Sequence, residues 1–88
     1  MNHKHRAILH ALFAHPISSN IDPKSVKAVL EELGAATARD NHGHLTINLN
    51  NHSHRVHDNH HSFSRDEVVA LRKFLTEAGV DPVRDYPL

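Results

Sequence analysis

The sequence predicts an α+β two-layer domain, with helices covering one face of three antiparallel strands. Three observations predict it. Apolar residues recur at helical spacing in two early segments. Leu45, Ile47 and Leu49 alternate with Thr46, Asn48 and Asn50 ahead of a second asparagine, which is the pattern of a half-buried hairpin strand. Ser64-Arg65-Asp66-Glu67 has the form of a capping box and precedes a third apolar stripe.

The first segment, Lys4 to His15, carries Ile8, Leu9, Leu12 and Phe13 on one face and stops before Pro16, because a residue preceding proline avoids the α region. Ile17 to Ile21 is a polar connector with two apolar anchors. Asp22-Pro23 starts the second helix: Asp22 caps the free amides, and Pro23 at the first helical position loses no hydrogen bond. Val26, Val29, Leu30 and Leu33 form its apolar face, and Gly34 ends it. A short strand is expected over 35–39, a turn at Asp40-Asn41-His42-Gly43 and a strand through Leu45 to Leu49. Asn50-Asn51 tolerates positive φ, and a return strand over His54 to Asp58 would face Val56 to the core. Residues 59–63 read as a loop. Val68, Leu71, Phe74, Leu75 and Ala78 continue the last helix to Gly79, and 81–88 reads as a short tail fixed early by Pro82. The expected divisions are an N-terminal accessory helix and connector (1–21), the α-β-β-β-α domain (22–80) and the tail (81–88).

The 88 residues allow a single small domain, in which folding buries roughly 60–65% of the chain's surface. The absence of cysteine excludes disulfides and thiolate metal sites. No stretch is long and apolar enough for a signal h-region or a membrane span, so no membrane partner and a cytoplasmic location are expected. Ten Lys plus Arg balance ten Asp plus Glu, and the unusual feature is eleven His, seven of them between His42 and His61.

Three chemistries compete for that segment. Closely spaced imidazoles hold Zn, Cu or Ni. On a strand, however, His52 and His54 point one way and His57 the other, so they do not converge. Metal-free RNA cleavage needs a base for the 2′-OH, an acid for the leaving oxygen and a cation for the phosphorane, and His and Arg fill these roles. His44 at the start of a strand, with His57 and His60 after the partner strand, would offer the proton-transfer groups on one edge of a sheet. The bland alternative makes most of these His solvated surface, including His3, His5, His10 and His15 in the first helix and His52, His54 and His61. Zero formal charge makes phosphate binding depend on where Arg39, Arg55, Arg65, Arg72 and Lys73 are placed.

Leu12-Phe13-Ala14-His15-Pro16-Ile17-Ser18-Ser19-Asn20-Ile21-Asp22 and Val29 to Ala35, the strand Leu45 to Asn50 and the ending Val69 to Val80 together resemble the HicA family. These are small RNA-cleaving toxins of type II toxin–antitoxin pairs, and the likeness is strongest to a subgroup with an extra N-terminal helix. It covers roughly residues 5 to 82. It implies a double-stranded-RNA-binding-domain-like α-β-β-β-α fold, mRNA cleavage without a metal or other cofactor, and a HicB-type antitoxin as partner. The family's Gly-Ser-His motif falls on His42-Gly43-His44, so the family histidine is His44, while Gly and Ser are replaced by His42 and Gly43. A His pair after the third strand falls on His57 and His60. The resemblance makes His44 the first proton-transfer candidate and His57 and His60 the alternatives; the RNA contacts expected from charge placement are Arg39, Arg55, Arg65 and Lys73.

Overall fold

The computed structural model describes residues 1–17, 21–57 and 63–88. Its elements are α1 (His3–Leu12), α2 (Pro23–Glu32), β1 (Ala36–Arg39), β2 (His44–Leu49), β3 (His52–His57), α3 (Arg65–Glu77) and α4 (Pro82–Asp85). The strands form one antiparallel sheet in the order β1-β2-β3. The α+β class with three antiparallel strands and helices is therefore present.

Side chains cap every helix start. Asn2 accepts from the His5 amide at 2.8 Å, and Asp22 from that of Lys24 at 3.1 Å. Ser64 and Glu67 complete the capping box: the Ser64 amide donates to Glu67 Oε1 at 2.8 Å, and the Glu67 amide to Ser64 Oγ at 3.2 Å. α3 closes through Gly79 at φ 90°, where the Val80 amide reaches the Leu75 carbonyl at 2.9 Å. α1 stops at Leu12, earlier than its apolar spacing predicts. The Phe13 and Ala14 amides bond three residues back, at 3.0 and 3.3 Å, so the last turn tightens before the chain reaches Pro16.

The β2–β3 hairpin turns on Asn50 (φ 49°) and Asn51 (φ 67°), both in the left-handed region that asparagine tolerates. Asn50 Nδ2 also donates to the Ala78 carbonyl at 2.7 Å, tying the hairpin tip to the end of α3. The two-residue turn sets Leu49 opposite His52, and every later pair follows: Ile47 with His54, Leu45 with Val56, Thr46 with Arg55, and His44 with His57. Because side chains alternate along a strand, Leu45, Ile47, Leu49 and Val56 share the helix-covered face. His44, Thr46, Asn48, Ser53, Arg55 and His57 share the other.

One core joins the layers. Leu9, Leu12, Val29, Ile47 and Leu75 are fully buried, with Val26, Leu30, Val68 and Leu71 at 1% exposure. α2 packs under β1 and α3 under β3, and α1 contacts both α2 and α3. Leu9 and Leu12 belong to the same apolar cluster as the residues after position 21, so α1 is an integral layer element.

The sequence reading of 81–88 as a tail gives way to a one-turn helix. Asp81 caps it by accepting from the Val83 and Arg84 amides at 3.1 and 3.2 Å, Pro82 is buried, and Tyr86 packs against the core. The Tyr86 carbonyl accepts from His10 Nε2 at 2.7 Å, which fastens the segment to α1. No helix among the described residues is long and apolar enough to cross a membrane.

Candidate functional site

The uncovered face of the sheet gathers a small polar cluster at the end nearest the β1–β2 turn. His44 opens β2, His57 closes β3, and they are direct cross-strand partners. Their rings lie 4.5 Å apart, centroid to centroid, at 45°. Arg55 stands on the same face of β3, two residues from His57, and its Nη2 donates to His44 Nδ1 at 3.3 Å. A guanidinium only donates, so this contact pairs with the neutral His44 tautomer that carries its proton on Nε2.

Asp40 organises the group. It sits at the start of the turn after β1, and its Oδ1 accepts the His42 and His44 amides at 2.8 and 3.0 Å. Its Oδ2 accepts from Arg55 Nη2 at 2.6 Å. Oδ1 lies 3.9 Å from His44 Nδ1, close enough for an ion pair when His44 is protonated. The His44 amide, foremost, with the His42 amide and Arg55, holds the Asp40 carboxyl at about 2, and desolvation only partly opposes them. Gly43, at φ 77°, supplies the backbone reversal between the two amides that Asp40 receives.

A groove of about 450 Å³ runs beside the cluster, between β3 and the first turns of α3. His44, Arg55 and His57 line one side; Asp66, Glu67 and Ala70 line the other. The acidic wall disfavours an anion on the helix side, which leaves the open sheet face as the favourable approach for negative charge.

Of the sequence-predicted site residues, His44, His57 and Arg55 come together. His60 lies outside the described residues. Arg39 is exposed at the end of β1 and pairs with Leu45, which puts it on the opposite face of the sheet from Arg55. Arg65 and Lys73 are exposed on α3, eight positions apart with exposed Val69 between them, and neither lines the groove beside the cluster. His54, expected at the surface, is half-buried: its ring stacks on Phe74 at 5.2 Å and 20°, and burial pushes its pKa below the ordinary histidine value. Besides His10, His5 of α1 pairs with Glu32 at 2.6 Å, and His15, beyond the end of α1, contacts Arg72 at 3.4 Å.

Asp40 was the residue that sequence reasoning missed. Aspartate opening a turn signals side-chain capture of amides two and more residues on. Its reach to Arg55 depends on the strand register, which a turn signature does not carry.

Among the described residues no group of three or more His, Cys, Asp or Glu is arranged to hold a metal ion. No family model, curated protein or solved structure matches the chain.

Proposed function

We propose that the chain is a HicA-like toxin that binds RNA and cleaves mRNA by metal-independent acid–base chemistry on the open face of its sheet. The observation that supports this best is the His44–His57 pair, with rings 4.5 Å apart and Arg55 Nη2 3.3 Å from His44. Two imidazoles beside a guanidinium are the groups that transesterification of RNA requires. In this reading one imidazole takes the 2′-OH proton as the oxygen attacks the adjacent phosphorus. The other protonates the departing 5′-oxygen, leaving a 2′,3′-cyclic phosphate and a 5′-OH end. Arg55 holds the non-bridging oxygens, and Asp40 keeps Arg55 and His44 aligned. A double-stranded-RNA-binding-like arrangement of α2, β1–β3 and α3 goes with this reading. So do a cytoplasmic location and a HicB-type antitoxin that covers the same face.

Formal neutrality and the pairing of Arg55 with Asp40 set a modest electrostatic attraction, so binding depends on a few placed groups. The purified chain is expected to degrade RNA in excess EDTA, with His44→Ala and His57→Ala each losing about 10²–10⁴-fold in rate. Cleavage undiminished in His44→Ala removes that residue from the chemistry. Salt-sensitive RNA binding without cleavage makes the chain a non-catalytic RNA-binding module.

A further inference from the structure

We propose that His44 and His57 also form a two-imidazole site for a late first-row divalent cation, Cu(II) or Zn(II), and that the bound ion blocks the open face. Three observations carry this. The two residues are register partners on one face of adjacent antiparallel strands, so a rigid ladder fixes their spacing. Their rings already lie 4.5 Å apart, within reach of one ion bound to a nitrogen of each. Behind His44, Asp40 Oδ1 is 3.9 Å from Nδ1. That separation is longer than a hydrogen bond; closure of the carboxylate onto a proton on Nδ1 would make Asp40 the outer-sphere partner that metal-bound imidazoles commonly carry and leave Nε2 as the ligand.

Two protein ligands leave the other coordination positions to water. This is compatible with the absence of any three-residue cluster among the described residues. Imidazole suits copper and zinc, and copper binds more tightly in the divalent series. Arg55 Nη2 already donates to Asp40 Oδ2 at 2.6 Å and keeps that partner when its 3.3 Å contact with His44 Nδ1 is given up to the ion-bound tautomer. The ion ligates the two imidazoles through the lone pairs that would accept protons, so His44 and His57 cannot transfer protons while it is bound. That consequence rests on the proposed RNA cleavage; the binding itself does not.

The test is titration of the full chain with Cu(II), read by calorimetry and electron paramagnetic resonance. The expected result is one ion per chain at the tightest site, coupled to two imidazole nitrogens. His44→Ala and His57→Ala should each weaken it by roughly 10–100-fold or more, and His52→Ala, on the opposite face of β3, should leave it unchanged. Wild-type affinity in both His44→Ala and His57→Ala would overturn the site and assign the copper to other histidines. A parallel RNA-degradation assay with Zn(II) should show loss of cleavage that EDTA restores. Binding as expected with cleavage undiminished at saturating ion would keep the metal site and overturn its inhibitory role, because proton transfer would then lie elsewhere. A chain with no cleavage at all still reports through the binding measurement.

Discussion

Asp40 and Arg55 meet across the middle strand of the sheet: one follows β1, the other stands on β3, and Oδ2 and Nη2 are 2.6 Å apart. The same carboxylate holds the backbone of His44. One side chain therefore fixes both a candidate proton-transfer group and the cation beside it.

This gives an expected titration. Asp40 should titrate near 2 by carbon-detected NMR, and the shift should largely survive in Arg55→Ala, because the His44 amide is its foremost cause. The depressed folded value means the unfolded chain takes up the proton first as pH falls. The contribution to stability is therefore complete above the unfolded value of 3.8 and is lost as pH drops through about 2. A titration of Asp40 near the ordinary carboxylate value would contradict the hydrogen-bonding arrangement described.

Arg55→Ala is expected to slow RNA cleavage by about 10²-fold or more, the usual cost of removing one positioned donor from developing charge. Arg55→Lys should restore only part of the loss, since an ammonium gives no bidentate contact. Single-turnover rates on a short RNA separate this from weakened binding, and equal rates in wild type and Arg55→Ala would exclude a role for the guanidinium.

His54 carries a pH dependence of its own. Burial against Phe74 lowers its folded pKa below the ordinary histidine value of 6.5, so the unfolded state binds the proton more readily. Its contribution is full above 6.5 and falls as the solution is acidified through the folded value. Thermal melts between about pH 7.5 and about pH 5.5 should show His54→Leu losing less stability on acidification than wild type. An identical pH slope in the two proteins would count against it.

Leu12→Ala is expected to cost about 2–5 kcal/mol in urea unfolding, because Leu12 is fully buried in the shared core. A loosely attached helix would give a value near zero, so the measurement tests whether α1 belongs to the domain.

The hairpin turn admits a stabilising change. Asn51→Gly should gain up to about 1 kcal/mol, since glycine adopts a positive φ without a side-chain penalty. Asn50→Gly should gain less or lose, because it also deletes the 2.7 Å bond to the Ala78 carbonyl. Equal effects at the two positions would mean that this bond contributes nothing.

Much of this architecture was legible in local signals. Asp22-Pro23, Asn50-Asn51 and the Ser64–Glu67 box each act within a few residues and appear in the structure as expected. The pairing of His44 with His57 needed only the hairpin register counted back from the two-residue turn. Asp81-Pro82 repeats the cap-and-proline signal of Asp22-Pro23, but a single turn follows it, too short for apolar periodicity to distinguish from a tail. The place of α1, the stacking of His54 on Phe74 and the reach of Asp40 to Arg55 all depend on where distant elements pack. Periodicity within one segment does not record that.

The bond between His10 and the Tyr86 carbonyl spans 76 positions of chain. α1 also packs on α3 and α4. During synthesis α1 leaves the ribosome long before these partners exist; α2 covers one side of it early, and the other side waits until α3 and α4 have emerged. The loop to be closed at that moment is nearly the whole domain, so completion of the core is a late, non-local event. A nascent chain halted before residue 65 would leave the side of α1 that packs on α3 and α4 unshielded, in a form suited to chaperone capture and proteolysis rather than to a native surface.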